Sequence, residues 1–210
     1  MQYQLKINIS TTGLNNIYAA YQTVTLCKQV TYYVSTSKAA TSVMPSLVWI
    51  AFEPLQVNTV IWTNNYSVYA SGTALQPGNT ISPNSSIPAQ NSMLYTFSDG
   101  CFTAGTTGGA NTINVANQEN SGTYNFGLTQ QASINGVSAT TPVNCVPILY
   151  NEQANFTTSE MVYIFLSSCE SGGGIVISQL PTGALTVSLS SQDSSATIGF
   201  NDTTNLFYIS

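Results

Sequence analysis

Val30-Thr31-Tyr32-Tyr33-Val34 and Leu185-Thr186-Val187-Ser188-Leu189 decide the fold class of this chain, because in each the residue type changes with a period of two. Successive side chains of a strand point to opposite faces, whereas a helix needs its apolar residues three and four positions apart. Outward from these two runs, similar signals predict strands over 2–9, 17–26, 29–35, 46–52, 58–63, 66–71, 93–97, 111–116, 123–134, 145–149, 160–167, 174–180, 184–189, 195–200 and 205–209. Turn residues separate them, among them Pro77-Gly78-Asn79, Asn135-Gly136 and Pro181-Thr182-Gly183. Asn64-Asn65, between two short aromatic runs, reads as a hairpin turn. No helix of ordinary length is expected, and residues 72–92 and 98–110, rich in Gly, Ser, Thr, Asn and Pro, read as long polar loops. Gly172-Gly173-Gly174 reads as a flexible connection.

The expected fold is therefore all-β: an antiparallel β-sandwich, jelly-roll-like, in a single domain over residues 1–210. Hydrophobic residues make up 43% of the chain, enough for a core that needs neither metal nor disulfide.

Charge is where the chain departs from ordinary proteins. Only 5% of its residues are charged, against about 25% in a typical domain. The bases are Lys6, Lys28 and Lys38, and neither Arg nor His occurs. Nucleic acid as a partner is excluded, since phosphates must be neutralised by Lys or Arg. Anionic membranes likewise need a basic patch. Membrane insertion is not expected, because Pro45, Glu53 and Pro54 interrupt the most apolar stretch, 43–62. No charged segment followed by an apolar run opens the chain, so no signal peptide is expected and an intracellular location follows. The five sequons, at Asn8, Asn65, Asn84, Asn155 and Asn201, are then expected to stay unmodified.

The surface must be covered by Ser, Thr, Asn and Gln. Lys, Glu and Arg resist association through like-charge repulsion and through the rotamer entropy they lose when immobilised. Ser, Thr and Asn lose less, and a small net charge, here −5, favours association. Such a surface is permissive for packing against copies of itself.

Catalytic groupings are scarce. Hydrolytic triads need an imidazole, and none is present. Ser35-Thr36-Ser37-Lys38 matches S-x-x-K but lacks the helical setting and partner motifs of that chemistry. Glu152 with Glu160, flanking a loop, or Asp193 with Asp202, could in principle form a glycosidase pair, but solvated loop acids explain them as well. No cofactor or metal is expected, and the chain reads as a non-enzyme. The four cysteines, Cys27, Cys101, Cys145 and Cys169, lack metal-ligand spacing and read as idle thiols or as disulfides within or between subunits. Cys101 and Cys169 fall at loop or strand-end positions, where a thiol reaches a neighbour most readily. An aromatic group that includes Trp62, Tyr66 and Tyr69 reads as core, with a sugar-stacking platform as the alternative.

Leu47-Val48-Trp49-Ile50-Ala51-Phe52-Glu53-Pro54 and Trp62 to Ser71, with Tyr124 to Ala132 and Glu160 to Leu166, resemble the octin-like family of crystal-forming proteins of fungi and bacteria. The resemblance spans most of the chain and rests on structural rather than catalytic residues. It implies a homo-oligomeric protein crystal in a vacuole that sediments as a gravity-sensing body, with disulfides holding the lattice together.

Overall fold

A computed structural model describes residues 1–35 and 46–210. Lys38, and with it most of the S-x-x-K match, lies outside the described residues. In chain order the elements are β1 (Gln2–Asn8), α1 (Thr11–Ala19), β2 (Thr23–Val34), β3 (Leu47–Val48), β4 (Ile50–Phe52), β5 (Val57–Ser71), β6 (Ser85–Ala89), β7 (Met93–Ser98) and β8 (Cys101–Thr107). There follow β9 (Ile113–Asn117), β10 (Asn125–Ile134), β11 (Val137–Pro142), β12 (Val146–Pro147), β13 (Gln153–Ser167), β14 (Ile175–Val176), β15 (Leu185–Ser188), β16 (Ser195–Asn201) and β17 (Leu206–Ile209).

The strands form an eight-stranded sheet in the order β11-β10-β5-β1-β16-β17, with β12 on β10 and β6 on β5. A seven-stranded sheet runs β4-β2-β13-β9-β7-β8, with β15 on β13, and β14 pairs β3 separately. The all-β class is what the period-two runs predicted. The sheets, however, are mixed rather than antiparallel: β1 runs parallel to β16, and β7 parallel to β9. In the second case the chain turns back from β7 into β8 and then returns on the other side of β7, in the direction of β7.

Both sheets contribute to one hydrophobic cluster. Leu5, Ile7, Val68, Phe126 and Leu128 come from the first, and Val24, Leu26, Val115, Phe156 and Ile164 from the second. Each such side chain, fully buried, contributes roughly 1.5–3 kcal/mol. Aromatic rings join the sheets directly: Phe97 of β7 lies 5.3 Å from Phe126 of β10, in an edge-to-face pair.

Four local expectations are corrected. The first is the strand predicted over 17–26. Only its end, from Thr23 onward, is strand; residues 11–19 are a helix, because Ser10 caps it by accepting from the Gly13 amide at 2.9 Å, and Ile17 on its inner face is buried. Gly13 is required for close approach: a Cβ there would sit 2.7 Å from the Phe200 ring. The second is the hairpin at Asn64-Asn65. These residues lie within the continuous fifteen-residue strand β5, at the point where it exchanges β1 for β6 as its partner while β10 runs along the other side. Third, the predicted loops 72–92 and 98–110 contain β6 and β8, strands whose small polar residues carry no apolar alternation. Fourth, the glycine run at 172–174 is pinned rather than flexible. Gly172 exchanges backbone hydrogen bonds with Ala51, and Gly174 donates to Val48.

Candidate functional site

Where β2, β5, β10 and β13 face one another, the apolar core gives way to charge. Lys28 of β2 interrupts a buried run, Thr23 to Cys27, and is itself only 1% exposed. Its Nζ donates to Glu160 Oε2 at 2.7 Å and to Gln130 Oε1 at 2.8 Å, with a longer contact of 3.2 Å to the Tyr66 hydroxyl. The rings of Trp49, Trp62 and Tyr66 surround the ammonium with centroids 5.0, 5.2 and 5.5 Å away. Cation–π attraction of this kind grows as the cation loses its water.

Glu160 is fixed as firmly. Trp62 Nε1 donates to Oε2 at 2.6 Å, and the Tyr66 hydroxyl donates to Oε1 at 3.3 Å. Gln130 is held through its other end, where Nε2 donates to the Thr63 carbonyl oxygen at 2.7 Å. Tyr3 stacks on Trp62 at 5.9 Å, and Trp49 meets Trp62 edge-on at 5.4 Å.

Two register shifts coincide with this cluster. The β10–β5 ladder slips between Gln130 and Ala132, and the β13–β2 ladder between Thr158 and Val162, bracketing Glu160. Bulges re-aim side chains that a regular ladder would send elsewhere. The two shorter polar contacts of Lys28, to Gln130 and Glu160, thus sit at breaks in the pleat.

Burial pulls the Lys28 ammonium down to about 8, against the opposing pull of the Glu160 charge and hydrogen bond. Desolvation therefore outweighs attraction, as it often does for buried ion pairs. The same burial, reinforced by Glu160, pushes the Tyr66 hydroxyl well above the ordinary phenol range.

The cluster redefines several residues singled out above. Trp62 and Tyr66 are buried walls around Lys28, and Tyr69 is fully buried with its hydroxyl donating to the Asn144 carbonyl oxygen at 2.7 Å. None of the three rings offers a face to solvent on which a sugar could stack. Glu152 and Glu160 do not flank a loop: residues 153–167 are strand β13, with Glu152 just before it donated to by the Leu149 amide at 2.9 Å. Lys28 and Gln130 were not recognised as functional from the sequence.

All four cysteines are free. Cys27 and Cys145 are buried, and burial raises both thiols, that of Cys145 to about 11. Cys169 is half-buried and packs on the small cluster that holds Cys27. Cys101 alone is exposed, at the start of β8 after the tight turn Asp99-Gly100.

The sheet edges present the opposite chemistry. β11 and β17 end the first sheet and β8 and β4 the second; Gly172 covers β4 through Ala51, and none of the other three carries a charged residue. On β17 Leu206, Tyr208 and Ile209 are exposed, and on β11 Val137 is 71% exposed. Among the described residues no helix is long and apolar enough to cross a membrane.

No protein-family profile, curated protein or solved structure matches this chain.

Proposed function

We propose that the chain is a non-enzymatic structural protein that assembles with copies of itself into dense, ordered particles. The observation that carries this reading is the set of uncharged edge strands, β8, β11 and β17. An edge strand displays unpaired backbone donors and acceptors, and monomeric proteins guard it with charged side chains, above all Lys. Here the guards are missing, and on β11 and β17 exposed apolar residues stand in their place. The two sheets are read as face-to-face layers of a β-sandwich, jelly-roll-like in its path, whose rims are the contact surfaces.

Acid supports association. The net charge of −5 at pH 7 shrinks as the medium approaches the pI of about 4.1, and repulsion between copies falls with it. An acidic vacuole would supply that condition, in keeping with the resemblance to octin-like crystal proteins and their role as sedimenting gravity-sensing bodies. Disulfide reinforcement falls first to Cys101, the exposed thiol at the start of an edge strand, and then to Cys169.

Light scattering at high protein concentration tests the proposal. Scattering should rise as pH falls from neutral towards 5 and as thiols are oxidised, and non-reducing gels should show ladders that Cys101→Ser shortens. A chain that stays monomeric in acid and oxidant would sink the reading.

A further inference from the structure

The buried cluster brings together three groups whose chemistry is complementary: a primary amine, a carboxamide and a carboxylate. Lys28 Nζ is within 2.8 Å of the Gln130 carbonyl oxygen and 2.7 Å of Glu160 Oε2. The Gln130 amide plane is held by its bond to Thr63, and Trp62 anchors the carboxylate. Trp49, Trp62 and Tyr66, all buried, keep water from the group. We infer that Lys28 and Gln130 become joined by an intramolecular amide, an isopeptide bond that links the two sheets, with Glu160 moving the protons.

The step balances without any oxidant or added reactant. Glu160 takes one proton from the ammonium, and the freed Nζ lone pair attacks Gln130 Cδ. A C–N bond forms as the carbonyl π pair moves onto oxygen. When the carbonyl is restored the Cδ–Nε2 bond breaks, and Nε2 takes the second proton surrendered by Nζ and departs as ammonia. Glu160 then gives its proton to that ammonia, which leaves as ammonium. The product is a neutral secondary amide whose single N–H can still donate to the Glu160 carboxylate.

Three features of the site favour this outcome. Holding amine and amide in contact converts a slow encounter between separate molecules into a reaction at very high effective concentration. A carboxylate within hydrogen-bonding reach of the amine is placed for proton transfer. With Lys28 pulled down to about 8 by burial, about a tenth of the amine is unprotonated at neutral pH. The reaction also removes a buried ammonium, which a folded protein otherwise holds at considerable cost.

Mass spectrometry of the full-length chain, denatured and reduced, tests the inference. The expected mass is that of the sequence less one ammonia. Gln2, if exposed at the N-terminus, could lose ammonia by cyclising, so the position must be mapped. Trypsin can cut only after Lys6, Lys28 and Lys38. With the amide formed, Lys28 is no longer a cleavage site, and residues 7–38 stay attached to 39–210. Release of 7–28 and 29–38 as free peptides from the whole population overturns the bond. Gln130→Met removes only the acceptor amide and should restore both the full sequence mass and cleavage after Lys28. A deficit of one ammonia that survives in that variant together with resistance to cleavage after Lys28 overturns the assignment to Gln130. Glu160→Gln should likewise keep its full mass when circular dichroism shows it folded, and formation of the amide in that folded variant would remove Glu160 from the proton transfer.

Discussion

The interior around Lys28 and the rims at β8, β11 and β17 reverse the usual placement of charge. Ordinary soluble proteins keep cations at the surface and fill the core with hydrocarbon. Here a lysine and a glutamate lie in the core, packed among aromatic rings, while the strand edges that most need charge have none. The contrast teaches that scarcity of charge is not spread evenly over the molecule. The buried pair lies within the second sheet and ties it to the first, through Lys28 to Gln130 and through Trp62 and Tyr66 to Glu160, whereas on the proposed reading the neutral edges are where copies meet.

The comparison breaks most severely if the pair is split. Measured in the Gln130→Met background, where no amide can form, Glu160→Leu leaves the Lys28 ammonium buried without its carboxylate, and removing one partner of a buried pair costs about 3–5 kcal/mol. Urea unfolding should show that loss as a lower midpoint at an unchanged slope. Adding Lys28→Met removes the stranded charge, so the double variant should be more stable than Glu160→Leu alone by at least about 1 kcal/mol. Equal stability of the two would mean that the pair sits in wetter surroundings than its burial indicates.

A second expectation concerns the thiols, which divide between the same two regions. In the fold Cys145 is raised from the ordinary thiol value of 9.0 to about 11, and Cys27 is raised further, both chiefly by burial. A group raised in this way stays protonated in the native state while the unfolded chain ionises. The stability it contributes is thus fully present below pH 9 and is lost as pH climbs towards 11. For Cys145 the loss should be on the order of 3 kcal/mol, two units at about 1.4 kcal/mol per unit. Cys145→Ala should flatten that part of the stability–pH curve. In the native protein at mild pH, iodoacetamide should label Cys101 and spare the two interior thiols.

How much of this was legible in the sequence depends on which interactions decide each element. The β class was legible because alternation in runs such as Val30 to Val34 reflects which side chains meet the core, Val30, Tyr32 and Val34 packing on it. The helix at 11–19 was legible only in its Ser10 cap, a local signal, since the bond from Ser10 to Asp202 and the fit of Gly13 against Phe200 join opposite ends of the chain. Asn64-Asn65 carried a turn signal that three neighbouring strands override. The parallel pairing of β1 with β16 joins segments nearly a chain length apart and leaves no local trace. Of the buried cluster, one sign was available: in a chain with three bases, Lys28 lies in an otherwise uncharged strand run. Its partners Gln130 and Glu160 are brought to it only by the two bulges, which period and composition do not reveal.

The smallest expected change in stability is also the sharpest test of the rims. Leu206→Lys with Tyr208→Lys places two charges on the last strand of the first sheet, at positions already 45% and 49% exposed. Surface substitutions of this kind shift stability within about 0.5 kcal/mol each. Assembly should respond quite differently, because a second copy adding to β17 would have to desolvate both ammonium groups or leave them facing each other. Scattering at pH 5 should therefore fall while the unfolding midpoint hardly moves. Adding two glutamates instead should block assembly at pH 7 and less so towards pH 4, where carboxylates begin to lose their charge. If both variants assemble as the parent does, contact runs through β8 or β11, and the same pair of lysines moved to those strands identifies which. At the interior pair a change in charge is read in stability; at the rim, charge can be added one residue at a time and read in whether copies meet.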